Sequence, residues 1–225
     1  ENEIIVAVDG FIEESQHILD KYEKNIKVLD LGENQGMQTA LNLAVMNSTN
    51  EKIFIVNDDN VFCKDFDLEV ASDFGEMTVM TLNQIEPTGP GIFNFLVKDF
   101  GRTPKEFKYD EFIRYEDSIK EDELTLEGGI FPFAMLKKYY MAVGGFDTMY
   151  QSPLDLIGFN FIRTLGAHLY HFGSTATKNG NEGEKFKSTE GPAAQMFMYK
   201  WGMSPQLFKN NSHSPKGSMI KGIKF

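Results

Sequence analysis

The sequence predicts an α/β fold, a doubly wound and mostly parallel sheet flanked by helices, and three observations predict it. Apolar runs and amphipathic stretches alternate from residue 3 to residue 57 in the order strand, helix, strand, helix, strand. Gly, Asn or Asp, residues that end regular structure, close most of these runs. The third apolar run, Ile53 to Val56, feeds straight into Asn57-Asp58-Asp59-Asn60. Open α/β sheets bind ligands outside the carboxyl ends of their strands, so acidic strand ends are expected there.

The elements follow in order. Glu3 to Val8 is a strand ending at the turn Asp9-Gly10. Ile12 to Lys24 carries Ile12, Leu19 and Tyr22 at helical spacing among charges. Ile26 to Leu31 is a second strand and Gly32 to Gly36 a loop. Met37, Ala40, Leu41, Ala44 and Val45 form one apolar helical stripe. Lys52 to Asn57 is the third strand. Right-handed crossovers then gather Asp9, the Asn34 to Gly36 loop and Asp58-Asp59 on one edge of the sheet.

Beyond residue 60 the pattern changes. Met77 to Leu82 reads as a strand and Glu86 to Gly91, with two prolines, as a loop. Lys98 to Asp122 is rich in charge with interspersed Phe and Tyr, which predicts a surface excursion. Gly128 to Phe133 is apolar and Gly-rich. Leu136 to Val143 is helical and stopped by Gly144-Gly145. Leu154, Ile157, Phe161 and Leu165 have helical spacing, and Ala167 to Phe172 reads as a short strand. Asn179 to Gly191 is a polar loop, and Gln195 to Phe225 holds the single Trp and a basic end.

Composition bounds the function. A chain of 225 residues with 41% apolar and 13% aromatic residues supports a substantial core in one large domain. A formal net charge of -11 repels phosphate at long range, which argues against nucleic acid and anionic membranes as partners. The single cysteine, Cys63, excludes an intrachain disulfide and is compatible with a reducing compartment. The sequence shows no signal peptide and no run long enough for a membrane span, and the expectation is a cytoplasmic protein.

Two adjacent carboxylates at a strand end cost folding energy through repulsion and partial desolvation. A hard divalent cation with an anionic ligand would offset that cost. A solvated Asp- and Asn-rich turn is the other reading of the same residues.

An ordered set of motifs resembles the family 2 nucleotide-sugar glycosyltransferases, which have the GT-A fold. Glu3 to Gly10 resembles that fold's second strand with its acidic end. Glu33-Asn-Gln-Gly36, followed by Ala40-Leu41-Asn42, is similar to the Asn-x-Gly loop and helix. Asn57-Asp58-Asp59 resembles the Asp-x-Asp (DxD) motif, Gly144-Gly-Phe-Asp147 the Gly-Gly-Phe-Asp turn, and His171-Phe-Gly-Ser174 the late metal-ligand segment. The chain departs from the pattern in having Asn57 at the first acidic position. The family's first strand has no counterpart before Glu3, and the expectation is a trimmed chain.

The resemblance implies a Rossmann-like GT-A domain over residues 1–225 with a C-terminal acceptor-side region. Residues 1–85 would bind the nucleotide sugar, 86–178 form the acceptor and catalytic half, and 179–225 form a loop and tail. It implies Mn²⁺ or Mg²⁺ as cofactor, held by Asp59 and His171. The donor would be a UDP- or GDP-sugar and the acceptor a glycan or other hydroxyl. Asp9, Asn34, Gly36, Asn57 and Asp58 would contact or shape the nucleotide-sugar site, Asp9 through a uracil-like N–H. Asp155 would be the base of an inverting transfer, with Asp147 as runner-up, and His213 a substitute metal ligand. His17 and His168 read as ordinary histidines. A nucleotidyltransferase of related fold and a non-catalytic glycan-binding module remain the alternatives.

Overall fold

The computed structural model describes residues 2–72, 75–88, 96–125, 131–146 and 160–173, with single positions 195, 198 and 199. β1 (Ile4–Val8) and β2 (Ile26–Asp30) pair in parallel, from Ile4 opposite Ile26 to Val8 opposite Asp30. α1 (Ile12–Tyr22) joins them and buries Leu19. α2 (Met37–Asn47) follows and buries Ala40 and Val45. It starts at Gly36, whose φ of 94° lies where side chains other than glycine are strained. Around its last turn, Lys27 Nζ donates to Asn47 O at 3.1 Å and Lys137 Nζ to Ser48 O at 2.6 Å. Cations there offset the partial negative charge at the C-terminal end of the helix.

The third strand does not extend that pair. β3 (Lys52–Ile55) lies antiparallel to β8 (Phe133–Leu136). They belong to a seven-stranded sheet with β4 (Asn60–Phe62), β5 (Thr78–Glu86) and β9 (Asn160–His171), in the order β3-β8-β5-β9-β4. β6 (Leu96–Val97) adds to β5 and β7 (Leu124–Thr125) to β9. Three helices complete the described elements: α3 (Phe66–Ser72), α4 (Tyr109–Ile119) and α5 (Lys137–Ala142). The α/β class stands, a multi-stranded sheet flanked by helices, but the strand directions are mixed rather than mostly parallel. The reason is that short apolar runs such as β3 and β8 give no periodicity that reports a neighbour's direction. Among the described residues, no helix is long and apolar enough to cross a membrane.

Alternation across the strands splits the core in two. Ile53, Ile55, Phe133, Met135 and Val79 pack with Val45, Tyr140 and Phe146 on one side. Phe54, Ala134 and Met80 turn to the other, with Cys63, Phe100, Phe112, Leu169 and Tyr170. β5 is buried on both faces from Thr78 to Ile85, as a central strand must be.

Three sequence expectations need correction here. The charged stretch from Lys98 to Asp122 is not a surface excursion. Phe100, Phe112 and Glu116 are buried, and Tyr170 OH donates to Gly101 O at 2.8 Å. Apart from Glu116, the charges of α4 (Asp110, Glu111, Arg114 and Asp117) sit on its outer face, and the interspersed aromatics made the inner one. Asn160 to Leu165 is not helical but the start of β9. Those residues pair with β5 up to Thr164 opposite Leu82, then 165–167 bulge out before His168 meets Asn83. Strand β5, read as ending at Leu82, continues to Glu86 because Asn83 and Gln84 are polar yet buried.

Candidate active site

After β3 the chain passes through Asn57, Asp58 and Asp59 into β4. The β4–β9 ladder sets Asn60 opposite His171, and Phe172 N donates to Asp59 O at 3.2 Å. This pairing brings the His171 ring against Asp59, with Nε2 3.1 Å from Asp59 Oδ2. On the ring's other side, Nδ1 lies 2.8 Å from Glu86 Oε1. Gln84 Nε2 donates to the same Glu86 oxygen at 2.7 Å and lies 2.8 Å from Nδ1. Gln84 and Glu86 share one side of β5, two residues apart.

Burial alone would depress the His171 pKa, but hydrogen bonds that the ring donates to the Asp59 and Glu86 carboxylates outweigh it and raise it to about 9. At neutral pH the ring therefore donates from both nitrogens. A divalent cation between Nε2 and Asp59 would replace that proton.

The residues at this corner fit a hard divalent ion. Asp59 offers carboxylate oxygen and His171 an imidazole nitrogen. Asn60 Nδ2 makes a long contact to Asp59 Oδ1, 3.4 Å, while Asn60 Oδ1 is buried with no partner among the described residues. A buried acceptor without a donor points to something that would supply one. Among the described residues no group of three or more His, Cys, Asp or Glu side chains could hold a metal ion. Mg²⁺-type sites use one or two carboxylates with water and substrate phosphates, so a complete protein cage is not required.

Asp58 is exposed and Asn57 half-buried. Neither side chain has a hydrogen bond among the described residues. Asp9 has both oxygens engaged: Oδ1 accepts from Gln35 N at 2.7 Å and Oδ2 from Gly36 N at 3.0 Å. It thus holds the Asn34 to Gly36 loop against the end of β1, with Asn34 exposed. Asp155, Asp147, His213 and Trp201 lie outside the described residues. Asp59 and His171 are thus brought together, as are Asp9 and the Gly36 loop.

Sequence reasoning missed three participants. Glu86 and Gln84 were hidden by the misread end of β5. The third is Asn42, quoted only as part of a motif. Its Nδ2 donates to Phe146 O at 2.7 Å, and its Oδ1 accepts from Tyr140 OH at 2.6 Å and from Phe146 N at 2.8 Å. Two separate motifs, the α2 helix and the Gly144-Gly145-Phe146 turn, are one joint.

His168 is a core histidine, as expected. Its ring lies 3.4 Å from Glu116 Oε1 and 3.3 Å from Asn83 Nδ2. Burial pushes its pKa down to about 4, with Lys120 adding to the effect, and burial pushes Glu116 up. Burial also lifts the Cys63 thiol to about 12, which leaves it inert as a nucleophile.

Comparison with known proteins decides the family. The model of "Glycosyl transferase family 2" matches residues 1–142. The chain belongs to glycosyl transferase family 2. The Asp59–His171 corner is this family 2 chain's candidate active site. A crystal structure of GalNAc-T7 with UDP, GalNAc and Mn²⁺ resembles the family 2 fold seen here, with a TM-score of 0.52 at 13% identity. The match covers 75% of this chain and 37% of that one, so the chain spans little more than a third of this structural relative. At that identity the likeness shows the GT-A fold. No curated protein sequence matches.

Proposed function

We propose that the protein is an inverting, metal-dependent glycosyltransferase that moves a sugar from a UDP- or GDP-sugar to an acceptor hydroxyl. The observation that carries this reading is the contact of His171 Nε2 with Asp59 Oδ2, 3.1 Å, beside the buried Asn60 Oδ1, which has no partner among the described residues. These are oxygen and nitrogen donors where the DxD-like motif runs into β4 and meets the end of β9. The similar GalNAc-T7 crystal structure, which contains UDP and Mn²⁺, supports a nucleotide and a divalent ion as the guests.

Mn²⁺ or Mg²⁺ held by Asp59 and His171 would neutralise the charge that develops on the departing diphosphate. The protein's own part is otherwise positional. Asp9 fixes the Asn34 to Gly36 loop that would border the nucleoside. Asp58, exposed beside Asp59, is free to accept from ribose or sugar hydroxyls. Asp155 would take the acceptor's proton as its oxygen attacks the anomeric carbon from the face opposite the leaving group, which inverts that centre. With a net charge of -11 the chain has no general attraction for a diphosphate, so the cation supplies the local attraction.

A panel of sugar nucleotides incubated with Mn²⁺ tests this reading, with hydrolysis and transfer followed by nucleotide release. One or more UDP- or GDP-sugars should be turned over, and chelation should stop it. Asp155→Asn should keep donor binding and lower transfer by roughly 10²-fold or more. Turnover untouched by both EDTA and Asp155→Asn would overturn the proposal.

A further inference from the structure

We infer that Glu86 is the positioning residue of the metal corner: it fixes the His171 ring and its tautomer so that Nε2 is the nitrogen turned toward Asp59. The inference rests on the reading of Asp59 and His171 as metal ligands and adds a residue that neither the motifs nor the family comparison assigns.

A ligating imidazole must present a lone pair on one nitrogen, and the proton must then sit on the other. The group that accepts that proton chooses the tautomer and holds the ring plane. Glu86 Oε1 lies 2.8 Å from Nδ1, on the side of the ring away from Asp59. Among the described residues the ion pair that Glu86 makes is with this ring.

The carboxylate is itself fixed. Gln84 Nε2 donates to Oε1 at 2.7 Å, and the backbone oxygen of Glu86 accepts from Lys98 N at 2.9 Å. Glu86 closes a strand whose preceding eight residues are all buried, so it cannot drift from the ring. The sequence separates Glu86 and His171 by 85 positions, and only the parallel β5–β9 ladder, Ile85 opposite Tyr170, brings them together.

The test is Mn²⁺ affinity, read as free Mn²⁺ by electron paramagnetic resonance with and without UDP, with thermal melting to confirm folding. Glu86→Met removes the acceptor and should weaken Mn²⁺ binding by roughly tenfold to a hundredfold. Glu86→Gln keeps an oxygen toward Nδ1 and should bind within a few-fold of the unsubstituted protein. The double variant Glu86→Met/His171→Gln should bind no worse than His171→Gln alone, because Glu86 acts through the ring. Equal Mn²⁺ affinity for Glu86→Met and the unsubstituted protein would overturn the positioning role while leaving the metal site standing. So would losses that multiply in the double variant. Absence of Mn²⁺ binding by the unsubstituted protein would overturn the metal reading itself, and the positioning role with it.

Discussion

His171 Nε2 stands 3.1 Å from Asp59 Oδ2 although the two residues are 112 positions apart in the chain. The β4–β9 ladder makes the meeting, and Glu86 holds the far side of the ring. The ring thus sits between two carboxylates, and a metal ion held by Nε2 would compete with its proton for that nitrogen.

That competition gives a pH dependence. With the His171 pKa raised to about 9, ion uptake below that pH must expel a proton. Apparent Mn²⁺ affinity should rise roughly tenfold per pH unit from neutrality toward pH 9, then level off. Calorimetric titration in buffers of different ionisation enthalpy should count about one proton released per ion at neutral pH. His171→Gln should bind more weakly and lose most of the slope. A flat affinity profile would show that the ring takes no part.

The same histidine makes the protein without bound metal most stable on the acid side of neutrality. A raised folded pKa contributes stability that is complete below the ordinary value of 6.5 and is lost as pH rises through about 9. The loss should amount to at most about 3 kcal/mol. His168 has the opposite sign. Its pKa is depressed to about 4, so its contribution is complete above 6.5 and is lost as pH falls toward 4. Glu116, raised by burial, counters that acid loss, because its stability is greatest below its ordinary 4.5 and fades as pH rises through its folded value. Melting temperatures across pH 4 to 9.5 in EDTA should therefore fall on the alkaline side. His171→Gln should flatten that alkaline limb, and Glu116→Gln should steepen the acid one.

Asn42 gives a stability prediction. Its one amide holds Phe146 N, Phe146 O and Tyr140 OH. Asn42→Leu leaves these polar groups without their partner and should cost about 2–4 kcal/mol in denaturant unfolding. Asn42→Asp keeps the acceptor and loses the donor, and should cost about half as much. Gly145→Ala should reproduce the damage from the other side, because a Cβ there would collide with Asn42 Oδ1 and Gly145 has φ of 73°. If Asn42→Leu were as stable as the parent, the joint between α2 and the Gly-Gly-Phe turn would have no energetic role.

The first sixty residues were legible because each element there is regular. The α2 stripe and the β1 and β2 runs are long enough for periodicity to act. The DxD-like motif and His171 could be named because their local sequence carries them, but their contact is a product of strand pairing. Glu86 escaped notice because Asn83 and Gln84 look like loop residues until one sees that they face buried partners across β9. The start of β9 was misread for a related reason. Its apolar residues fall at helical intervals, and the bulge at 165–167 breaks the two-residue alternation that would have reported a strand. Phe100 and Phe112, which pack against Tyr170, were masked by the charges that surround them in sequence.

Asn60 offers the sharpest separation of folding from binding. Among the described residues its Oδ1 is buried without a partner, and its Nδ2 reaches Asp59 only at 3.4 Å, so the side chain contributes little to the fold. An unsatisfied buried acceptor costs about 1–3 kcal/mol, which a guest carrying a donor would relieve. Asn60→Ala should accordingly unfold within about 1 kcal/mol of the unsubstituted protein when no ligand is present. With saturating Mn²⁺ and UDP, ligand at 100 times its dissociation constant should stabilise the unsubstituted protein by about 2.7 kcal/mol. Asn60→Ala should fall short of that shift by about 1 kcal/mol or more, as its affinity drops several-fold. Equal ligand-induced shifts in the two proteins would place the guest elsewhere and leave the buried oxygen a structural defect.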